Sequence, residues 1–295
     1  MKRISAVLPF AIVLLGVSFL LYPTISNLVN ERTQSMAVAE YEESTRELDS
    51  IQKQKLWNDA NRYNAELAKN QDRFTLSEED TRKYNLLLDV SQTGIMGSIQ
   101  IPKLHVNLPI YHGTEDGTLQ VAVGHLPGSS LPVGGPNTHC VLSGHSGLLS
   151  ARLFTDLDQL EVKDRFMITV LNETMIYEVD QIVTVLPQNL EYLEIEPGKD
   201  LCTLLTCTPY GVNTHRLLVR GHRITSKLSA EDLLSESKDQ PYGSLFPGIL
   251  LLCGSAFILA IIIWIHKQRA CKGKRVKNKK DRGHIANERK TNTKY

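Results

Sequence analysis

The stretch Thr203–Arg216, TLLTCTPYGVNTHR, sets two reactive side chains on either side of one turn. Cys202–Thr206 has the composition of a short buried strand, Pro209 and Gly211 punctuate a loop, and Arg216 opens a second apolar strand, LLVRGHRI. Cys207 therefore stands at a strand end, where a thiol can meet a substrate. A third reactive group lies in LSGHSGL: His145 follows a strand ending VLSG and falls between Gly144 and Gly147, where missing side chains would let the backbone approach a ligand closely. A thiol of ordinary pKa is only about 3% thiolate at neutral pH, and an imidazole beside it raises that fraction or takes the proton during attack. Arginine is always protonated and offers a fork of donors to a developing oxyanion. Cysteine, histidine and arginine together suit acyl transfer. The competing reading is a buried small cysteine with a surface arginine, and His125, His139, His215 and His222 are each conceivable bases that spacing does not exclude.

The elements that must position these groups change character along the chain. From Gly94 the hydrophobic period is two: SIQIP, HVNLPIYHG, THCVLSGH, RFMITVLN, TMIYEVDQIVTVL, CTLLTC and RLLVRGHRI read as seven or eight short strands separated by Gly, Pro, Asn and Asp. No helix alternates regularly between them, so a mainly β barrel or sandwich is expected, with Leu119–Val123 and Leu149–Leu160 as short covering helices. Upstream, Leu48, Ile51, Leu56, Ala60, Tyr63 and Leu67 recur at helical spacing and predict an amphipathic helix, the repeat being too short and irregular for a coiled-coil seam. Gln71–Phe74 breaks the pattern, and Thr75-x-x-Glu78 reads as a capping box opening a second helix through Tyr84, Leu87 and Leu88.

Charge is distributed unevenly behind a net of +1. Ile4–Tyr22 and Leu245–Ile265 carry no charged residue, and each is long enough as a helix to cross a bilayer core of roughly 30 Å. The small-x-small site Ala37–Ala39 lies too far beyond the first run for signal cleavage, so an uncleaved anchor is expected. Lys2 and Arg3 precede the first run, and residues 266–295 hold 12 Lys and Arg against Asp281 and Glu288. The positive-inside rule then places both ends in the cytoplasm and the acidic middle outside. The basic tail fits anionic lipid headgroups better than nucleic acid. Cys253 falls in the second run and Cys271 in the tail, leaving Cys140, Cys202 and Cys207 outside. Three cysteines at irregular spacing make neither a disulfide framework nor a metal site, and Cys140 and Cys202 are expected as two buried free thiols, a Cys140–Cys202 disulfide being the alternative.

TLLTC followed by Arg216 resembles the Thr-Leu-x-Thr-Cys signature of sortases, the cysteine transpeptidases of Gram-positive surfaces, and SLPVGGPNTHCVLSGHSGL and TCTPYGVNTHRLLVRGHR are similar to the pilin-polymerising class C. The resemblance implies an eight-stranded β-barrel with peripheral helices, Cys207 as nucleophile, His145 as acid/base and Arg216 as oxyanion partner, with no cofactor or metal. It implies cleavage of the Thr-Gly bond in a Leu-Pro-x-Thr-Gly-like signal and transfer to a lysine amine of the next pilin subunit, a wall-anchoring sortase acting on a peptidoglycan amine being the near alternative. It further implies that Asp72 and Phe74 belong to a lid like the Asp-Pro-aromatic lid of class C, Asp72 pairing with Arg216 and Phe74 covering Cys207. Arg73 stands where that lid has proline, so looser closure is expected. The organisation is an anchor at 1–22, juxtamembrane helices and lid at 23–93, a catalytic barrel at 94–226, a linker at 227–244, a second span at 245–265 and a basic cytoplasmic tail at 266–295. A non-enzymatic membrane sensor with a buried Cys207 is the remaining rival.

Overall fold

A computed structural model describes residues 4–225, with the backbone alone for residues 4–11 and 13. The chain divides into two units, Met1–Asp239 and Gln240–Tyr295. The expected linker, second span and basic tail lie outside the described residues, apart from the end of the barrel segment at Thr225. Among the described residues no helix is long and apolar enough to cross a membrane, but the side chains that open the run Ile4–Tyr22 fall outside that description.

Eight strands close into a barrel: β1 (Ile95–Ile101), β2 (Val106–His112), β3 (Val123–His125), β4 (Thr138–Ser143), β5 (Arg165–Val170), β6 (Glu173–Val185), β7 (Asp200–Thr208) and β8 (His215–Arg223). Around the barrel their order is β1-β2-β3-β4-β7-β8-β6-β5. The β2–β3 and β4–β7 ladders are parallel and the others antiparallel. Closure leaves no unpaired sheet edge. Alternation then sorts the side chains. Cys202 and Leu204 of β7, Cys140 and Leu142 of β4 and Leu217 and Val219 of β8 enter one buried core. Val141 of β4 and Leu218 of β8 instead form a second apolar cluster with Val185 and Leu193, on the opposite face of the sheet.

Three expectations change. The eighth strand, β3, has three residues, too few to show a period of two, and it begins inside the segment read as helical from Leu119 to Val123. A one-turn helix, α4 (Asp116–Leu119), precedes it. Leu149–Leu160 contains only a single 3₁₀ turn, Leu157–Gln159, because Leu153, Phe154, Leu157 and Leu160 are spread over an irregular segment that caps the core.

The upstream helices are packed on the barrel. The first, α1 (Ile4–Glu47), is anchored by Tyr41, whose hydroxyl donates to Met96 O at 2.9 Å and accepts from Leu171 N at 3.1 Å. Burial pushes its pKa up to about 12, so it stays a donor at any physiological pH. The second helix, α2 (Ser50–Leu67), starts at a reciprocal capping box: Gln52 N donates to Asp49 Oδ1 at 2.7 Å, and Asp49 N to Gln52 Oε1 at 3.0 Å. Its predicted apolar stripe holds at Ala60 and Leu67 but fails at Ile51, which is exposed. Asn64 clamps α2 to the barrel by accepting from Leu131 N at 2.7 Å and donating to Leu131 O at 3.1 Å. Helix α3 (Glu78–Asn85) is capped by Ser77 accepting from Asp80 N, two residues later than the expected Thr75 box. Its Tyr84 hydroxyl meets His125 Nδ1 at 2.9 Å inside the core.

Two histidines that were conceivable bases are structural. His125 is fully buried between Tyr84 and Ser130 O. His139 Nδ1 meets Glu194 O at 2.7 Å and Nε2 meets Thr203 Oγ1 at 2.7 Å. Burial lowers the His139 pKa to about 4, with the Glu194 carbonyl opposing. A base whose folded pKa lies below its unfolded value costs stability only at acid pH: above pH 6.5 both states are neutral, and the loss grows as pH falls from there to about 4. The loss amounts to about 3 kcal/mol. We expect the urea midpoint to fall between pH 7 and pH 4.5, and His139→Gln to flatten that dependence whatever it does at pH 7. An equally steep profile in the variant would assign the acid sensitivity elsewhere.

Candidate active site

Cys207 and Arg216 are direct partners across the antiparallel β7–β8 ladder, one alternation beyond the pair Leu205 and Leu218. Side chains in register share a face of the sheet, so thiol and guanidinium emerge together. His215, opposite Thr208, alternates to the other side, which removes it as a partner of the thiol. His222 lies at the far end of the ladder, opposite Leu201.

His145 arrives from the neighbouring strand. The β4–β7 register pairs Ser143 with Leu205, and beyond it Gly144 N donates to Leu205 O at 3.0 Å. Thr206 Oγ1 then donates to Gly144 O at 2.7 Å. These two bonds tie the residue before His145 to the two residues before Cys207. Cys207, His145 and Arg216 are all partly exposed, whereas Cys140 and Cys202 are buried, in-register neighbours on β4 and β7. All three cysteines are free, and burial pushes the Cys202 thiol well up. Of the three, only Cys207 is accessible to a substrate.

The glycines flanking His145 serve packing. A side chain on Gly144 would sit 2.8 Å from the fully buried ring of Phe154. Gly147 has φ +81° and lies under the ring of Tyr210. Closeness of backbone to a ligand, the expected reason, is not needed. We expect Gly144→Ala to cost about 1–3 kcal/mol through overpacking and to cut activity as His145 shifts. Thermal unfolding with activity at a temperature where the variant is fully folded separates the two effects, and full activity there would show that Gly144 does not position His145.

The guanidinium of Arg216 donates to Asn213 O at 3.2 Å and His215 O at 3.1 Å. Among the described residues it pairs with no carboxylate, so its remaining donors are not committed to a fixed anion. Cys207 also lines a cleft of about 350 Å³ whose other walls include Ser146, Thr155, Asp156 and Tyr210. Among the described residues no cluster of side chains could hold a metal ion.

The Gln71–Phe74 segment corrects a sequence reading. Asp72 is exposed and makes no ion pair with Arg216. The buried residue is Arg73, at 3% exposure. Its Nη2 donates to Leu193 O at 2.8 Å and lies 3.3 Å from Glu194 Oε2, and its guanidinium sits 4.6 Å from the centre of the Phe74 ring. Nη1 is buried without a partner. Burial lowers the Arg73 pKa, with Glu194 opposing. Phe74 packs on the Val141, Val185, Leu193 and Leu218 cluster. The strap lies so close to Gly128 that a side chain there would meet Arg73 O at 2.3 Å. The arginine that replaces proline is thus the anchor of the segment. Its signal in the sequence, one basic residue in a polar loop, cannot be told from a solvated charge.

The Sortase domain family matches residues 99–224. The structure of sortase C1 from Streptococcus agalactiae is similar at 49% identity and a TM-score of 0.63, covering 65% of this chain and 99% of that one. The chain belongs to the sortase family, class C. A class C structure from Clostridium perfringens, determined with the C-terminal cell wall sorting motif, is similar to this sortase at 39% identity and a TM-score of 0.58, covering 65% of this chain and all of that one. Sortase A of Streptococcus agalactiae serotype III is 31% identical over 117 residues, which are 39% of this sortase and 47% of that relative. The chain therefore spans about half the length of this curated relative. The matched residues 99–224 include His145, Cys207 and Arg216 but not the Arg73 strap.

Proposed function

We propose that this sortase is a membrane-anchored cysteine transpeptidase that cleaves the Thr-Gly bond of a Leu-Pro-x-Thr-Gly-like signal and joins the acyl fragment to a lysine amine of the next pilin subunit. The observation that carries the reading is the cross-strand facing of Cys207 and Arg216, with Gly144, the residue before His145, tied to Thr206, the residue before Cys207. The Clostridium perfringens relative, determined with the C-terminal cell wall sorting motif, supports the substrate class.

In this reading His145 takes the Cys207 proton as Sγ attacks the threonine carbonyl, and the uncommitted donors of Arg216 receive the negative charge that develops on its oxygen. His145 protonates the departing glycine amine, leaving a thioester on Cys207. The lysine amine then attacks the thioester, His145 takes its proton, and an isopeptide bond forms as the thiol is released. The apolar cluster of Val141, Val185, Leu193 and Leu218 suits the apolar side chain of the signal, so the Arg73–Phe74 strap must leave before peptide enters. Ile4–Tyr22 and Leu245–Ile265 hold the enzyme in the cell membrane, with the barrel outside and both ends in the cytoplasm.

The test is incubation of the membrane-reconstituted chain with a purified subunit carrying a sorting signal. A ladder of covalent multimers, absent with Cys207→Ala, is the expected result. Transfer only to a peptidoglycan amine would replace pilin joining with wall anchoring, and equal slow labelling of Cys140, Cys202 and Cys207 by a thiol reagent would remove the enzyme reading.

A further inference from the structure

We infer that the catalytic end of the barrel rests on the bilayer surface, with Leu149 and Val212 in contact with the lipid headgroups. The inference rests on the anchor reading of Ile4–Tyr22 and concerns a surface that the reading leaves unspecified. The helix α1 continues without interruption from that run to Glu47, and its first charged residue is Glu31. In this short uncharged interval the helix grips the loop that follows His145. Arg152 N donates to Asn27 Oδ1 at 2.9 Å, and Asn30 Nδ2 donates to Ser150 O at 2.7 Å. At 1.5 Å per residue these contacts fall about 8–12 Å beyond Tyr22, at the outer edge of a headgroup layer about 5–8 Å deep. The loop carrying His145 is therefore held at membrane height by the anchor helix itself.

The exposed surface at this end matches such a neighbour. Among the described residues from Ile95 onward, the three most exposed large apolar side chains are Leu149 at 66%, Tyr210 at 65% and Val212 at 64%. All three stand on the two loops that flank the active-site cysteine, and the ring of Tyr210 lies over Gly147, two residues from Leu149. Apolar tips beside a tyrosine are the composition of a membrane interface. Asp156 is paired with Arg152, and Asp158 offsets Arg216 at the same end, so contact is apolar and equal on zwitterionic lipid. The consequence for function is that Cys207 meets its substrate at the membrane surface.

The test uses the full chain in phosphatidylcholine vesicles, with Cys207, Cys253 and Cys271 replaced by alanine and an environment-sensitive fluorophore on Leu149→Cys or Val212→Cys. Lys199→Cys, at the far end of β7, and Tyr22→Cys, at the end of the apolar run, are the references. Lipids bearing a quencher near the headgroup should quench positions 149, 212 and 22 several-fold more than position 199. Quenching at 22 with positions 149 and 212 matching 199 overturns the docking surface and leaves the anchor intact; no quenching at 22 removes the anchor and the proposal with it. In parallel, Leu149→Ser with Val212→Ser should slow transfer from a lipid-tethered signal peptide several-fold and leave the soluble peptide unchanged. Equal losses on both would show that these loops act on the site alone.

Discussion

Arg216→Lys will lower kcat/KM for a sorting-signal peptide by about 10²–10³, or about 3–4 kcal/mol of transition-state stabilisation, with most of the loss in kcat. Both residues carry the charge, so the effect comes from geometry. Arg216 lies across the ladder from Cys207 with part of its guanidinium fixed by Asn213 O and His215 O. Those two bonds use one nitrogen and leave the rest of the fork in a set plane beside the thiol. Lysine has a single ammonium on a flexible stem and cannot hold two loop carbonyls and aim further donors at once. The oxyanion exists only as the reaction proceeds, so binding of peptide should change little. Steady-state kinetics on the variant checks this, with the rate of thiol labelling at Cys207 showing whether the nucleophile is intact. A kcat within threefold of the parent would mean that Arg216 contributes charge alone.

How much of this was legible before the fold was known differs by residue. Strands β4, β6, β7 and β8 were readable because each runs for six or more residues, rich in apolar and β-branched side chains and bounded by turn residues, and the thiol and arginine could be placed at strand ends from the same boundaries. Three-residue β3 was not readable. His145 could not be chosen over His125 and His139 by spacing, because the distinction is one of burial and hydrogen bonding: the barrel closes over His125, the Glu194 carbonyl and Thr203 hold the buried His139, and His145 stays partly exposed just past the end of β4. The Thr206 brace was written into TLLTC, but its partner, Gly144 O, is a backbone atom 62 residues away that no pattern marks. The strap was misread through its neighbours. Asp72 and Phe74 invited attention as an acid and an aromatic, while the residue that tertiary structure buries was the arginine between them.

That arginine sets the second large effect. Arg73→Ala should lower the KM for a sorting-signal peptide by about tenfold or more, with kcat nearly unchanged. Removing the guanidinium takes away a charged hydrogen bond to Leu193 O, worth about 1.5–3 kcal/mol, and its contact with the Phe74 ring, worth about 0.5–1 kcal/mol. Relief of an orphaned, buried Nη1 offsets part of this, so the closed strap loses about 1–3 kcal/mol. Where only the open form binds peptide, apparent affinity rises with the open fraction. Asp72→Ala should change nothing, since its carboxylate is exposed and unpaired with Arg216. Modification of Cys207 by a small thiol reagent should also be little altered by Arg73→Ala, because Phe74 ends on the Leu218 cluster and the thiol lies one alternation further, roughly 7 Å along the ladder. The split between peptide KM and reagent rate is what distinguishes a strap over the peptide groove from a lid over the nucleophile. Parallel acceleration of both would restore the lid over Cys207, and an unchanged KM in Arg73→Ala would mean that the strap does not compete with peptide. Arg73→Met adds a check on the force involved: if buried volume rather than charge keeps the strap down, the methionine chain will hold the KM of the parent.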